Sequence, residues 1–242
     1  MPAVFVHGVP DTARLWEPLI AATRRSDAVA LPLPGFATPT PDGWTATKES
    51  YADWLETELV EIGEPVDLVG HDWGALLCQR VASVRPDLIR TLAVGSGPLD
   101  VEYEWHAMAQ AWQTPTTGED IMAGMLALPA EDLAAGLAAG GAPADLAQIQ
   151  ASHVDARMVQ CILALYRSAV SVGHDWQPQV DVMPHRPAVV FHGADDPYMD
   201  THFAQRLADR LGGELVVHAN CGHWWPWARA TDTAGHLRRL WA

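Results

Sequence analysis

Short runs of β-branched and apolar residues alternate along the chain with stretches whose apolar positions recur every three or four residues. That alternation predicts an α/β architecture, a parallel sheet joined by crossover helices. The strand-like runs are Ala3 to Val6, Ala28 to Leu31, Val66 to Val69, Thr91 to Val94, Ala188 to Phe191 and Glu214 to His218. Between them, Tyr51, Leu55, Leu59 and Ile62 fall on one helical face that stops at Gly63. Phe203, Leu207 and Leu211 do the same before Gly212-Gly213. Another helix, from about Ala75, has to end near Arg85, because Pro86 brings no N–H to continue it. Between Pro98 and Pro184 the strand signal vanishes. That stretch is rich in Ala, Met and Gln, with short helical patterns broken by Pro115, Pro129 and Pro143. The expected organisation is a core of residues 1–97 and 185–242, with a helical cap, 98–184, inserted between the fourth and fifth of about six strands.

Length allows one buried core and little more, at 242 residues. The formal charge of −15, from 30 acidic against 15 basic side chains, repels phosphate backbones and anionic lipid, so neither nucleic acid nor a membrane surface is an expected partner. Cys78, Cys161 and Cys221 are widely spaced and imply no disulfide framework. Met1 to Gly8 lacks the basic and long apolar regions of a secretory leader, and no apolar run reaches about 18 residues, so a cytoplasmic protein is expected. The 11 histidines form no His-x-x-x-His pair or compact cluster with carboxylates, so no metal or cofactor is expected.

Chemistry concentrates at Val66-Asp67-Leu68-Val69-Gly70-His71-Asp72-Trp73-Gly74-Ala75. A strand runs into Gly-x-Asp-x-Gly and directly on into a helix. This is the nucleophile-elbow pattern, with aspartate where serine usually stands. The sharp turn needs its two glycines, and it lifts the central side chain to a helix N-terminus, where an anion is favoured. His71 then reads as a wall of the elbow. Three other segments accompany it: Phe5-Val6-His7-Gly8-Val9-Pro10, Phe191-His192-Gly193-Ala194-Asp195-Asp196-Pro197 and Cys221-Gly222-His223-Trp224. Gly173-His174-Asp175-Trp176 repeats the elbow letters but has neither the preceding strand nor the closing glycine. It reads as a loop without a catalytic role.

Four motifs in this order resemble the α/β-hydrolase superfamily, in the branch of the epoxide hydrolases and haloalkane dehalogenases that uses an aspartate nucleophile. The resemblance implies the α/β-hydrolase fold, with Ala3 to Val6 standing as the family's third strand. It also implies roles: Asp72 as nucleophile, His223 as general base, Asp196 rather than Asp195 as its orienting acid, and the backbone N–H groups of Val9 and Trp73 as anion hole. Leu33-Pro34-Gly35-Phe36-Ala37-Thr38 matches the family's next loop only in part.

Aspartate at the elbow narrows the reaction. A carboxylate is already ionised at neutral pH, and on an acyl carbon it would form a high-energy anhydride. On a saturated carbon it forms an ordinary ester that water can cleave, with His223 activating the water. An epoxide needs a proton for its departing oxygen, which the epoxide hydrolases take from lid tyrosines. Tyr166, on the helical stripe of Met158, Ile162, Leu165 and Ala169, resembles the second of these, whereas the first has no counterpart at Tyr103 or around Thr116 and Thr117. A halide needs only N–H donors, which Trp73 with Trp105 or Trp112 could supply. Val9 stands where one dehalogenase group carries Asn, and Trp73 where haloacid enzymes carry Arg. Hydrolysis of a small apolar epoxide to a diol is therefore expected, with a haloalkane dehalogenase as the alternative and a non-catalytic binding protein on the same fold as a third possibility. Trp224, Trp225 and Trp227 crowd the histidine loop, and Trp73, Met122 and Met125 are expected beside the pocket.

Overall fold

The computed structural model describes residues 1–242. Six parallel strands, β1 (Ala3–Val6), β2 (Ala28–Leu31), β3 (Val66–His71), β4 (Ile89–Gly95), β5 (Ala188–Gly193) and β6 (Glu214–His218), form one sheet in the order β2-β1-β3-β4-β5-β6. This is the α/β-hydrolase architecture expected from the sequence. Alternate residues enter opposite apolar layers: Val4, Val6, Leu68 and Val190 face one side, Ala3, Phe5, Val69 and Phe191 the other. A parallel sheet so covered is buried on both faces, which is why its strands read as continuous apolar runs.

The first layer is closed by α2 (Lys48–Ile62), α3 (Trp73–Val84) and α10 (Thr201–Leu211), the second by α1 (Glu17–Thr23), α11 (Trp225–Ala228) and α12 (Ala230–Leu240). Local chemistry fixes their ends. The Thr47 hydroxyl caps α2 by accepting the Ser50 N–H, and Gly63, at φ 78°, ends it.

Six helices occupy the interval between β4 and β5: α4 (Ala107–Gln113), α5 (Thr117–Ala127), α6 (Ala130–Ala139), α7 (Ala144–His153), α8 (Ala156–Ser168) and α9 (Val172–Val180). The segment predicted as a loop at Gly173-His174-Asp175-Trp176 is instead part of α9. Pro178 lies within that helix, and its missing N–H costs about 3 kcal/mol. The cost is outweighed because Val172, Trp176 and Val180, one helical stripe, are all buried in the core. Its Asp175 pairs with Lys48 at 3.3 Å, far from the elbow in role. No helix is long and apolar enough to cross a membrane. Cys78, Cys161 and Cys221 are buried and unbonded.

The strand order reverses its direction of growth at β1 and β3, the switch point where open α/β sheets leave a crevice. Register pairs Val6 with Gly70 and His71 with Gly95. The loops leaving β1, β3 and β4 therefore emerge side by side.

Candidate active site

Asp72 occupies the turn between β3 and α3 with φ 53° and ψ −124°, a conformation that costs an L residue about 1–3 kcal/mol. The crowding around it explains the glycine pattern. A Cβ on Gly74 would stand 2.0 Å from the Val6 carbonyl oxygen. One on Gly8 would stand 2.1 Å from Oδ1 of Asp72 itself. Helix α3 begins at Trp73, two residues before the expected start, so the carboxylate sits directly at a helix N-terminus.

The two carboxylate oxygens are not equivalent. Oδ1 accepts the Val9 N–H at 2.9 Å, whereas Oδ2 lies 3.6 Å from Nε2 of His223. Burial opposes charge on Asp72, but His223, His71 and the Trp73 N–H together hold its carboxyl below the usual range. Of the two predicted anion-hole groups, the Val9 N–H thus holds Oδ1, which leaves Oδ2 facing the histidine.

His223 Nδ1 donates to Asp196 Oδ2 at 3.0 Å, which leaves Nε2 toward Asp72. Asp196 is held from three directions: it also accepts the Ser96 hydroxyl at 2.9 Å and the Tyr198 N–H at 2.9 Å. Burial would raise its pKa, yet His223 and these donors bring it to about 2. Asp195, the neighbouring carboxylate, is exposed. For His223, burial works against the proton, while Asp196 and Asp72 outweigh it and raise the pKa to about 10. The resting arrangement is an imidazolium between two carboxylates.

Two further histidines act as fixed struts. His71 donates Nε2–H to the His223 carbonyl at 2.9 Å, with burial lowering its pKa to about 3. His7, lowered by burial to about 4, donates from Nδ1 to Gly8 O at 2.7 Å and accepts the Leu33 N–H at Nε2 at 3.0 Å. His7 thereby ties the Gly8-Val9 loop to the loop after β2, and neither ring carries a proton to spare.

Asp72, His223, Val9 and Tyr166 line one cavity of about 480 Å³. Its far walls are apolar, with Leu133, Gly136, Leu137 and Gly140 from one face of α6 and its C-terminal end, and Met108, Trp112, Met125 and Ile162 from neighbouring helices. Tyr166, on α8, is 2% exposed; burial first, and the charge of Asp72 next, push its hydroxyl well above the phenol range. That hydroxyl donates to nothing in the protein, and the Trp73 indole N–H faces it without forming a full hydrogen bond.

Of the expected pocket neighbours, Trp224 and Met125 line the cavity. Trp225 instead packs among Phe191, Trp16 and His71, and Trp227 donates to Asp145 on the surface. Met122 and Trp73 belong to the core cluster behind the wall. Trp105 donates its N–H to Ala169 O at 3.0 Å and has none left for an anion, whereas Trp112 Nε1 is buried without a partner. Sequence reasoning missed Tyr198, His106, Ser96 and Asp11. Tyr198 packs edge-on to His223 at 5.0 Å. Asp11 is 1% exposed, accepts Gln150 Nε2–H at 2.7 Å and Trp224 Nε1–H at 3.1 Å, and is pushed up to about 7 by burial.

The model of the alpha/beta hydrolase family matches residues 3–235. Over 99 residues the chain is 33% identical to (E)-2-((N-methylformamido)methylene)succinate hydrolase of Acinetobacter baylyi, covering 40% of this chain and 37% of that protein. Over 99 residues it is 35% identical to Epoxide hydrolase 2 of Siraitia grosvenorii, covering 38% and 31%. The matched stretch spans about a third of the length of these curated relatives. In fold it is similar to a haloalkane dehalogenase of Bradyrhizobium elkani, with a TM-score of 0.78 at 20% identity, covering 99% of this chain and 90% of that one.

Proposed function

This chain belongs to the alpha/beta hydrolase family, and we propose that within it the protein opens apolar epoxides through a covalent ester on Asp72 and releases a vicinal diol. Asp72 Oδ2, the oxygen left free by Val9, attacks an epoxide carbon. The C–O bond breaks, and the departing oxygen takes the Tyr166 proton. Alkylation removes the negative charge from Asp72, one of the two charges that hold a proton on His223. His223 then passes its proton to solvent, from which it regains one when the Asp72 charge returns, and so becomes a base, with Asp196 fixing its Nδ1–H.

In the second half His223 takes a proton from water, and the hydroxide adds to the Asp72 carbonyl carbon. The oxyanion forms on Oδ1, against the Val9 and Trp73 N–H groups. Collapse expels the diol oxygen, which takes the proton from His223. The new carboxyl ionises, and its proton restores Tyr166. Helices α4 to α9 act as the lid that closes the apolar side of the site, as a cap of residues 98–184 would.

The observation that carries this reading is the Tyr166 hydroxyl, which shares a cavity with Asp72 and donates its proton to no protein group. Single turnover in ¹⁸O-water with enzyme in excess tests it, using styrene oxide. The first diol should be unlabelled and the Asp72 peptide should gain ¹⁸O. Label in the first-turnover diol would mean that water attacks the substrate directly.

One observation favours a second reading. The indole N–H groups of Trp73 and Trp112 are both buried without partners, and both rings pack on Tyr166, at 5.4 and 4.9 Å. Two such donors suit a departing halide, so haloalkane dehalogenation on the same Asp72 ester is the alternative. Halide release from 1-bromohexane, measured beside diol formation, separates the two.

A further inference from the structure

An epoxide oxygen leaving carbon gains charge inside a cavity that is otherwise apolar, and one hydroxyl is a thin supply of donors for it. The other tyrosines offer nothing. Tyr51 donates to Pro34 O at 2.8 Å, Tyr103 to Tyr198 O at 2.9 Å and Tyr198 to Gly140 O at 3.2 Å. Each hydroxyl proton is therefore committed to a backbone carbonyl. The indole N–H groups of Trp73 and Trp112 are free but buried.

His106 is different. It precedes α4, lines the same cavity as Asp72, Tyr166 and His223, and is half-buried there. Its Nδ1 accepts the Ala109 N–H at 3.3 Å and so caps α4. A ring nitrogen that accepts a hydrogen bond carries no proton, and burial lowers the pKa of this ring below that of free imidazole. At neutral pH the single ring proton therefore sits on Nε2, which has no partner in the protein. The ring is held in place by Tyr198 at 4.9 Å, and Tyr198 in turn packs on His223. A neutral, tautomer-locked N–H donor thus belongs to a residue that lines the cavity of the reacting groups.

We propose that His106 is the second donor to the departing epoxide oxygen: its Nε2–H bonds that oxygen while Tyr166 supplies the proton. His106 keeps its own proton throughout. The bond that forms is Asp72 Oδ2 to carbon, the bond that breaks is carbon to oxygen, and the pair left on oxygen takes the Tyr166 proton. This inference rests on the epoxide reading above.

The test uses rapid-quench intact-mass measurement of ester formation and decay with styrene oxide, on the full chain. His106→Ser keeps a side chain that caps a helix and removes the imidazole. One donor to a developing oxyanion is worth about 10²–10³-fold at most, so ester formation should slow by about 10- to 100-fold. Ester decay, in which that oxygen is already protonated, should change far less, so the ratio of the two rate constants shifts. His106→Gln, which returns an N–H2 to the cavity, should recover part of the lost rate. An unaltered ratio in His106→Ser would overturn the role of His106 alone. Should His106→Ser fail to fold by circular dichroism, a wild-type ratio in a folded His106→Phe variant would overturn it equally. Absence of any ester in the wild type while diol still forms would instead overturn the covalent reading beneath it.

Discussion

Replacing Asp72 with Asn should move the titration of His223, and the geometry sets how far. The Asp72 carboxylate stands 3.6 Å from His223 Nε2. Two unit charges at that distance interact by about 1 kcal/mol in a water-like dielectric and by about 4–5 kcal/mol at an effective dielectric near 20. The Asp72 side chain is 18% exposed, between those limits. At 1.36 kcal/mol per unit, the loss of its charge should lower the His223 pKa by roughly one to three units from about 10. Imidazole ¹⁵N shifts followed from pH 5 to 11 would read this directly. The same charge loss occurs when Asp72 becomes an ester, so the measurement examines the switch that turns His223 into a base. Because the folded pKa lies above 6.5, the proton on His223 stabilises the fold fully below pH 6.5, and that stabilisation fades as pH rises toward 10. In Asp72→Asn the fading should finish earlier. Superimposable titrations in the two proteins would refute the reasoning, because the ester would then leave His223 protonated and useless to water.

Tyr166→Phe should lower ester formation from epoxides by about 10²–10⁴-fold, seen in single-turnover rates. Its melting temperature should hardly move, since the lost hydroxyl donates to no protein group. His223→Gln should still be alkylated and then stall, leaving an adduct of the epoxide's mass on Asp72; turnover without any adduct would argue against the ester. Gly8→Ala places a methyl group against the carboxylate of Asp72, 2.1 Å from Oδ1 before relaxation. Displacing the attacking group by even 1 Å can cost about 10²-fold, so activity should collapse by that order while far-UV circular dichroism stays native.

Much of this arrangement is legible in the chain because it is written locally. The alternation of strand and helix periods, the glycines of the elbow and the stop at Gly63 each depend on neighbours in sequence. The groups that escaped reading depend on register instead. Ser96 meets Asp196 only because β4 and β5 are adjacent, and His106 meets Tyr198 only because the inserted helices fold back over the sheet. Tyr198 did carry a local signal, two residues after Asp196, whose side chain its N–H binds. In α9 the stripe Val172, Trp176 and Val180 was present, and Pro178 disguised it.

Asp11 offers the strongest case of a cost that the fold carries for its site. It is enclosed between Gln150 of α7 and Trp224 beside His223, so it joins the inserted helices to the histidine loop. Burial raises its pKa from 3.8 to about 7, against the two donors, with the charge of Asp72 adding to the rise and His223 opposing it. A carboxyl whose folded pKa is raised binds its proton more tightly folded than unfolded. Stability is then greatest below pH 3.8 and falls as pH climbs from 3.8 to about 7, after which it levels. Asp11→Asn removes that slope, because the amide has the same shape and no charge to desolvate. The variant should gain on the wild type as pH rises, by about 2–3 kcal/mol between pH 5 and pH 8. Urea unfolding of both proteins at pH 5, 6, 7 and 8 measures the difference. Parallel stability profiles would mean that Asp11 is ionised throughout this range, with the energy of its two hydrogen bonds sufficient to hold a buried charge.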